Sequence, residues 1–388
     1  TTATATATAI LSQPNLQRLS LAGCPVGDND LRPLHENITN TTSEHRRPTR
    51  SLVCSSLMTL NLSCTLVTDA GLSRILQKTG ALRQLNVSGC SGLMSTSCLI
   101  LAIASNPWLR SLRAGRGTRA YVDEAFGRAL SKAECRHVMT CLHLQGIQRN
   151  SLVTMKGRSA AARLAASNKG GATSSPVLAS ALSHLPYLSD FTMHECENLT
   201  YDVVMSIASS CSSLVIFSLK KGCHRLRNEK ALSTVLSLPS LSTFEIGDLT
   251  RVTRFTPAPA PQSLTRVSVR GCLMLTNDGL LDIVGCSSTL EALDCSMTLV
   301  DDHGLLALLK RCRRLHTLHA RKAQEIQFQR LNQNLKKLYP PLRLTSLTNV
   351  DLSGCRKSSR VWLSTHLIRS NVIPLGCVGS ASNLLYGH

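Results

Sequence analysis

The sequence predicts an α/β solenoid, a stack of short parallel strands with a helix behind each. Three observations carry that prediction. In Leu264–Cys272, LTRVSVRGC, apolar residues fall at the first, fourth and sixth positions and a cysteine closes the ninth. Behind it, a Thr-Asn-Asp-Gly turn opens the apolar run LLDIV, which reads as a helix. The same unit recurs: successive starts at 188, 214, 241, 264, 290 and 315 lie 26, 27, 23, 26 and 25 residues apart. A unit this small cannot bury its own apolar face and is stable only when stacked on copies of itself.

In chain order the copies begin at Leu16 (Leu16-Leu19-Leu21-Cys24), Leu57 (Leu57-Leu60-Leu62, Thr65 at the ninth position) and Leu82 (Leu82-Leu85-Val87-Cys90). Leu109-Leu112-Ala114 with Gly117 is weaker, and Met139-Leu142-Leu144-Ile147 weaker again. The pattern returns in Leu188-Phe191-Met193-Cys196, Leu214-Phe217-Leu219 and Leu241-Phe244-Ile246. Leu290-Leu293-Cys295-Thr298, Leu315-Leu318-Ala320 and Leu347-Val350-Leu352-Cys355 follow the unit at 264, giving twelve starts in all. The period lies within the range of about 20–29 residues of leucine-rich repeats.

Residues 1–15 are a low-complexity N-terminal segment, 16–357 the solenoid, and 358–388 a capping segment or tail. Insertions are expected at about 25–56, 146–180 and 250–263. In the second, Ser174-Ser175-Pro176 reads as flexible linker, and the third ends in a stiff Pro-Ala run. Insertions in repeat proteins lie on one face and often bind.

The repeats resemble the cysteine-containing leucine-rich repeats of F-box/LRR proteins. Ninth-position Cys24, Cys90, Cys196, Cys272 and Cys355 carry the resemblance, as do helix-end Cys54, Cys211 and Cys312, each three residues before the next start. The turns VTDAGL, LTNDGL and VDDHGL match that family's I-T-D-x-G-L. The resemblance implies a horseshoe with parallel strands on the concave face and helices on the convex face. In that family an F-box recruits a ubiquitin ligase and the repeats hold the substrate. Only about one strand's worth of chain precedes Leu16, too little for an F-box.

Half of the 16 cysteines fall in these slots, where a small apolar thiol packs beneath the turn. A core of free thiols is the expectation, and with it an intracellular reducing compartment, the mitochondrial matrix or cytoplasm. No run approaches the ~18–20 apolar residues of a membrane helix.

Lys and Arg number 43 against 23 Asp and Glu, a net charge of +20 that predicts a polyanionic neighbour. The third, fifth and seventh positions of each repeat share the concave face, because alternate strand residues do. They are Arg18, Arg113, Lys220, Arg266, Arg270 and Arg321 among cations, Asp190, Glu245, Asp294 and Asp351 among acids, and His143, His194 and His319. That mixture is not a uniform phosphate groove. Further cations crowd turns and insertions: Arg110, Arg116, Arg119, Lys221, Arg225, Arg227, Arg311, Arg314 and Lys322. With 13 aromatics in all, stacking on single-stranded bases is poorly supported, and phosphate-backbone or acidic-protein contact is favoured.

Catalytic, cofactor and metal residues are not assigned. Asp28-Asn29-Asp30 and Asp301-Asp302-His303 sit in turns before a repeat helix, where Asp caps exposed N–H groups. His316 and His319, three apart on a strand, fall on opposite faces. The expectation is a non-enzymatic scaffold without a small-molecule substrate. Its partners are expected to be proteins of a large assembly, first a ribonucleoprotein such as a mitochondrial ribosome. The alternatives are a ubiquitin-ligase substrate subunit and an axonemal or microtubule-associated protein.

Overall fold

A computed structural model of the chain describes residues 15–35, 53–118, 121–147, 174–195, 199–221, 226, 229–249, 251–256, 263–285, 287–323, 347–351 and 353. It divides into two compact units, Thr1–Leu214 and Val215–His388. Each contains six of the expected repeat strands.

In the first unit the strands are β1 (Arg18–Ser20), β2 (Thr59–Asn61), β3 (Gln84–Asn86), β4 (Ser111–Ala114), the two-residue β5 (Tyr121–Val122), β6 (Cys141–Ile147) and β7 (Asp190–His194). They stack in parallel as β1-β2-β3-β4-β6-β7, with β5 beside β6. The fourth-position residues line up across the rungs: Leu19, Leu60, Leu85, Leu112, Leu142 and Phe191. In the second unit β8 (Ile216–Lys220), β9 (Thr243–Ile246), β10 (Arg266–Ser268), β11 (Ala292–Asp294), β12 (Thr317–His319) and β13 (Asn349–Asp351) stack the same way. Their row is Phe217, Phe244, Val267, Leu293, Leu318 and Val350. Both units are leucine-rich-repeat solenoids of α/β class.

Fourth and sixth positions point into the core by strand alternation. First, fourth and sixth positions are buried almost throughout, Leu57, Leu60 and Leu62 among them. Each such side chain contributes roughly 1.5–3 kcal/mol by leaving water. Phe217 and Phe244 stack at 5.9 Å, and Phe255 meets Phe244 edge-on at 6.4 Å.

Behind the strands run α1 (Arg32–His35), α2 (Asp69–Leu76), α3 (Ser97–Ser105), α4 (Glu124–Lys132), α5 (Ser174–Leu182) and α6 (Tyr201–Ser210) in the first unit. The second has α7 (Glu229–Leu236), α8 (Asn277–Val284) and α9 (Asp302–Arg311). Asp301 caps α9, accepting from the N–H of His303 (2.8 Å) and Gly304 (3.2 Å). Asp28 instead serves the next repeat, accepting from the N–H and Oγ1 of Thr68 ahead of α2. The motif glycine of these turns has a steric reason. A Cβ on Gly71 would lie 2.1 Å from Asp28 Oδ1, and one on Gly304 2.1 Å from Asn277 Oδ1. At Gly71 and Gly304 the preceding repeat's polar turn leans on the helix where only glycine leaves room.

Three expectations change. Ser174-Ser175-Pro176 is not linker but the first turn of α5, where proline's missing N–H would have no helical partner in any case. The 250–263 stretch feeds the core through Val252 and Phe255, both 1 % exposed, and the carbonyl of Thr253 accepts from the N–H of Thr276. Cys24 is exposed, because β1 is paired only with β2 and its turn lacks a covering neighbour among the described residues.

The other described slot cysteines are buried free thiols: Cys90, Cys272, Cys211 and Cys312. Cys90 Sγ donates to Leu62 O at 2.8 Å and Cys211 Sγ to Leu185 O at 3.4 Å, each in the preceding repeat. Cys54, Cys196 and Cys355 belong to positions whose side chains lie outside the described residues. Among the described residues no helix is long and apolar enough to cross a membrane.

The eighth position was not anticipated. Gly23, Cys64, Gly89, Arg116, Glu195, Lys221, Asp248, Gly271, Met297 and Lys322 all occupy it, and all have positive φ between 40° and 79°. The left-handed step points the N–H toward the next repeat of the stack. Cys64 N–H donates to Ser88 O (2.8 Å), Met297 N–H to Arg321 O (2.9 Å) and Lys322 N–H to Ser353 O (3.0 Å). Each adds a rung beyond the strand proper. A side chain in this conformation costs about 1–2 kcal/mol, so the ladder tolerates local strain to keep its hydrogen bonds.

Candidate functional site on the open strand face

Third and fifth positions alternate with the buried ones and look outward, as in the exposed–buried–exposed pattern of β1. In the first unit exposed Arg18 on β1 is followed by uncharged polar residues on β2 and β3. Thr59, Asn61, Gln84, Asn86, Ser111 and Arg113 line a depression there. Asn61 and Asn86 are occupied locally: each Oδ1 accepts at 3.1 Å from the N–H two residues on, of Ser63 and Ser88.

At β4, β6 and β7 the face becomes ionic. Arg113 lies across from His143, and Cys141 across from Asp190, in the strand register. His143 Nε2 is 2.9 Å from Asp190 Oδ2, and Cys141 Sγ lies 3.5 Å from that same oxygen. Arg113 Nε donates to Cys141 Sγ at 3.4 Å, and its guanidinium is 3.9 Å from Asp190. The cluster is enclosed, with His143 and Asp190 side chains 21 % and 16 % exposed.

That enclosure alone would favour the neutral form of every member, yet each shifts the other way. Burial raises the Cys141 thiol, but the hydrogen bond and charge of His143 outweigh it and the net direction is down. Burial lowers His143, but hydrogen bonds to Asp190 and Cys141 push the imidazole up to about 9. Asp190, raised by burial, is brought below its usual value by His143, Cys141 and Arg113. By contrast, burial pushes Cys98 and Cys211 up to about 12. Cys141 thus differs from the packing cysteines, and thiolate character is favoured there.

In the second unit the fifth row runs Ser218, Glu245, Ser268, Asp294, His319, Asp351, and the seventh row Lys220, Gly247, Arg270, Ser296, Arg321, Ser353. Lys220 pairs with Glu245 at 3.4 Å, and Arg321 with Asp351. Asp294 and Asp351 also accept, at 3.0 Å, from the N–H of Ser296 and Ser353. His319 is 8 % exposed and lowered by burial, with Asp294 and Asp351 opposing that shift. Arg266 and Arg270 are exposed, flank Ser268 on one strand face, and form no ion pair among the described residues.

The remaining expected residues are placed as follows. His194 ends β7 beside Gly115, and Arg110 precedes β4. Arg116, Lys221 and Lys322 sit on left-handed turns, Arg311 ends α9 and Arg314 follows it. Arg119, Arg225 and Arg227 lie outside the described residues. Sequence reasoning missed Cys141, although Cys-Leu-His at alternate positions of a strand was a visible signal.

The chain has a structural likeness to "Crystal structure of Rad7 and Elc1 complex in yeast", at 13 % identity and TM-score 0.44, covering 96 % of this chain and 93 % of that one. An internalin (inlF) from Listeria monocytogenes str. 4b F2365 matches at 15 % identity and TM-score 0.44, over 90 % and 94 %. A TLR13–ssRNA13 complex matches at 15 % and TM-score 0.26, over 78 % and 53 %. No protein-family model and no curated protein matches the sequence.

Proposed function

We propose that the chain is a non-enzymatic scaffold that binds the phosphate backbone of RNA within a large ribonucleoprotein, such as a mitochondrial ribosome. One observation carries the reading: the seventh row of the second unit presents a cation on every second rung, Lys220, Arg270 and Arg321, with Gly247, Ser296 and Ser353 between. Strands sit about 4.8 Å apart, so the cations recur at roughly 10 Å, with small residues leaving room between them. Of the three, Arg270 has no acid within ion-pair distance among the described residues, and exposed Arg266, Lys221 and Lys322 extend the same surface. Such contacts grip phosphate without reading bases.

The test is gradient sedimentation of the endogenous protein at moderate salt, with and without RNase. Co-migration with a large particle that collapses on RNase is expected. A large particle indifferent to RNase points to an acidic protein assembly, and a small species restores the ligase-subunit reading. In vitro, Arg266→Ala with Arg270→Ala should lower the slope of log affinity against log salt on single-stranded RNA by about 1.4, two phosphate contacts at ~0.7 each.

A further inference from the structure

We propose that Cys141, His143 and Asp190 form a binding site for a zinc-class divalent cation, with a fourth coordination position left for water or a partner's donor. The ligand atoms, Sγ, Nε2 and a carboxylate oxygen, all lie within 4.8 Å of one another. Zinc bonds of about 2.3 Å to sulfur and ~2.0–2.2 Å to nitrogen or oxygen at tetrahedral angles require donor separations of about 3.3–3.6 Å. The Sγ···Oδ2 distance is 3.5 Å and Nε2···Oδ2 2.9 Å, so one side must open slightly and another is already set.

The scaffold fixes the donors before any ion arrives. Cys141 and His143 are alternate residues of β6 and share a face, while Asp190 is held opposite Cys141 by the β6–β7 register. A thiolate and a carboxylate together neutralise a divalent charge, and the thiolate–imidazole–carboxylate set favours zinc over calcium or magnesium, which prefer oxygen alone. Arg113 opposes the cation electrostatically, but its Nε–H points at Cys141 Sγ, the outer-shell hydrogen bond that orients a metal-bound thiolate. Binding would displace the protons that now link the three side chains. Two residues beyond His143 on β6, Gln145 is 1 % exposed and its Oε1 has no hydrogen-bond partner among the described residues. The same strand thus carries a further buried acceptor that the protein's own groups leave unsatisfied.

The full chain, stripped with chelator and kept reduced, is titrated with Co2+ and then with Zn2+ against a chromophoric chelator. The expected result is one tight equivalent, with the visible bands of tetrahedral Co2+ and a thiolate charge-transfer band in the near ultraviolet. Cys141→Ser should abolish the charge-transfer band, and both it and Asp190→Asn should weaken Zn2+ binding at least tenfold. Cys24→Ser and Cys64→Ser, which remove the exposed thiols among the described residues, should leave binding intact. Circular dichroism in chelator, compared with wild type, separates loss of a ligand from loss of fold; a misfolded Cys141→Ser is replaced by Cys141→Ala and judged on the same band. Absence of a tight equivalent in wild type, or a charge-transfer band that survives both Cys141 substitutions, overturns the site.

Discussion

The open face of the first unit and that of the second are built from the same repeat positions but spend their charges differently. In the second unit the acids are committed along the ladder: Asp294 and Asp351 hold the N–H of Ser296 and Ser353, and Glu245 and Asp351 neutralise Lys220 and Arg321. In the first, Asn61 and Asn86 do the same backbone work without charge, and the ionic groups gather at Arg113, Cys141, His143 and Asp190. The difference teaches how to read this surface. An Asn or Asp two residues before a Ser is part of the scaffold, whereas Cys-Leu-His and Arg-Val-Ser-Val-Arg are additions to it.

The largest expected effect tests what the faces share. Leu142→Ala and Leu293→Ala, both buried at the fourth position, should each cost about 2–5 kcal/mol in urea unfolding. A large loss at one site and none at the other would mean the rungs are not equivalent supports.

Next come the acids. Asp190→Ala removes the acceptor of His143 and strips Arg113 of its ion pair, and should cost about 1.5–3 kcal/mol. Asp294→Ala, which frees one backbone N–H, should cost about 0.5–1.5 kcal/mol, and Asp294→Asn close to nothing because the amide oxygen still accepts. If Asp294→Asn proves as damaging as Asp294→Ala, its charge rather than its hydrogen bond matters and the distinction fails.

pH sharpens the comparison further. His319 is held below the usual 6.5 by burial, so the folded state favours its neutral form. That contribution is complete above pH ~6.5 and is lost as pH falls through the lower folded value. Thermal midpoints should therefore decline below pH ~6.5 in wild type, and less steeply in His319→Gln. Asp351, also lowered in spite of burial through Ser353 and Arg321, adds a separate loss only below its ordinary 3.8.

The smallest effect concerns the turn. Met297→Gly should relieve left-handed strain and gain up to about 1 kcal/mol, reduced by the greater freedom of glycine when unfolded. Gly271→Ala should do the reverse, since its Cβ would also fall 2.3 Å from Asp248 Oδ1.

Much of the fold was legible because leucine spacing carries strand phase directly: even the weak Met139 unit produced β6 with Leu142 and Leu144 buried. The cysteine slots were legible at Cys90, Cys211, Cys272 and Cys312 for the same reason. The eighth-position conformation was not, because Cys64, Glu195 and Met297 share no side-chain property that marks a positive φ; the ladder imposes it. The cation cluster was half legible. His143 and Asp190 were placed on the right face, but their meeting depends on a register set across the connection between β6 and β7, which spacing alone does not supply.

The recurring left-handed residue also defines natural splice points. Ten of the twelve rungs leave their strand through the same backbone state, so two such residues are interchangeable junctions. Excising residues 272–297 would join Gly271 to Thr298, a ninth-position residue whose Oγ1 now bonds the sixth-position carbonyl of Cys295 and would find that of Val269 in the same place. One whole rung would vanish without a mismatch in the backbone. Duplications or deletions with endpoints at this residue are therefore the rearrangements such a gene can absorb, which makes the number of rungs far easier to change than the contents of any one.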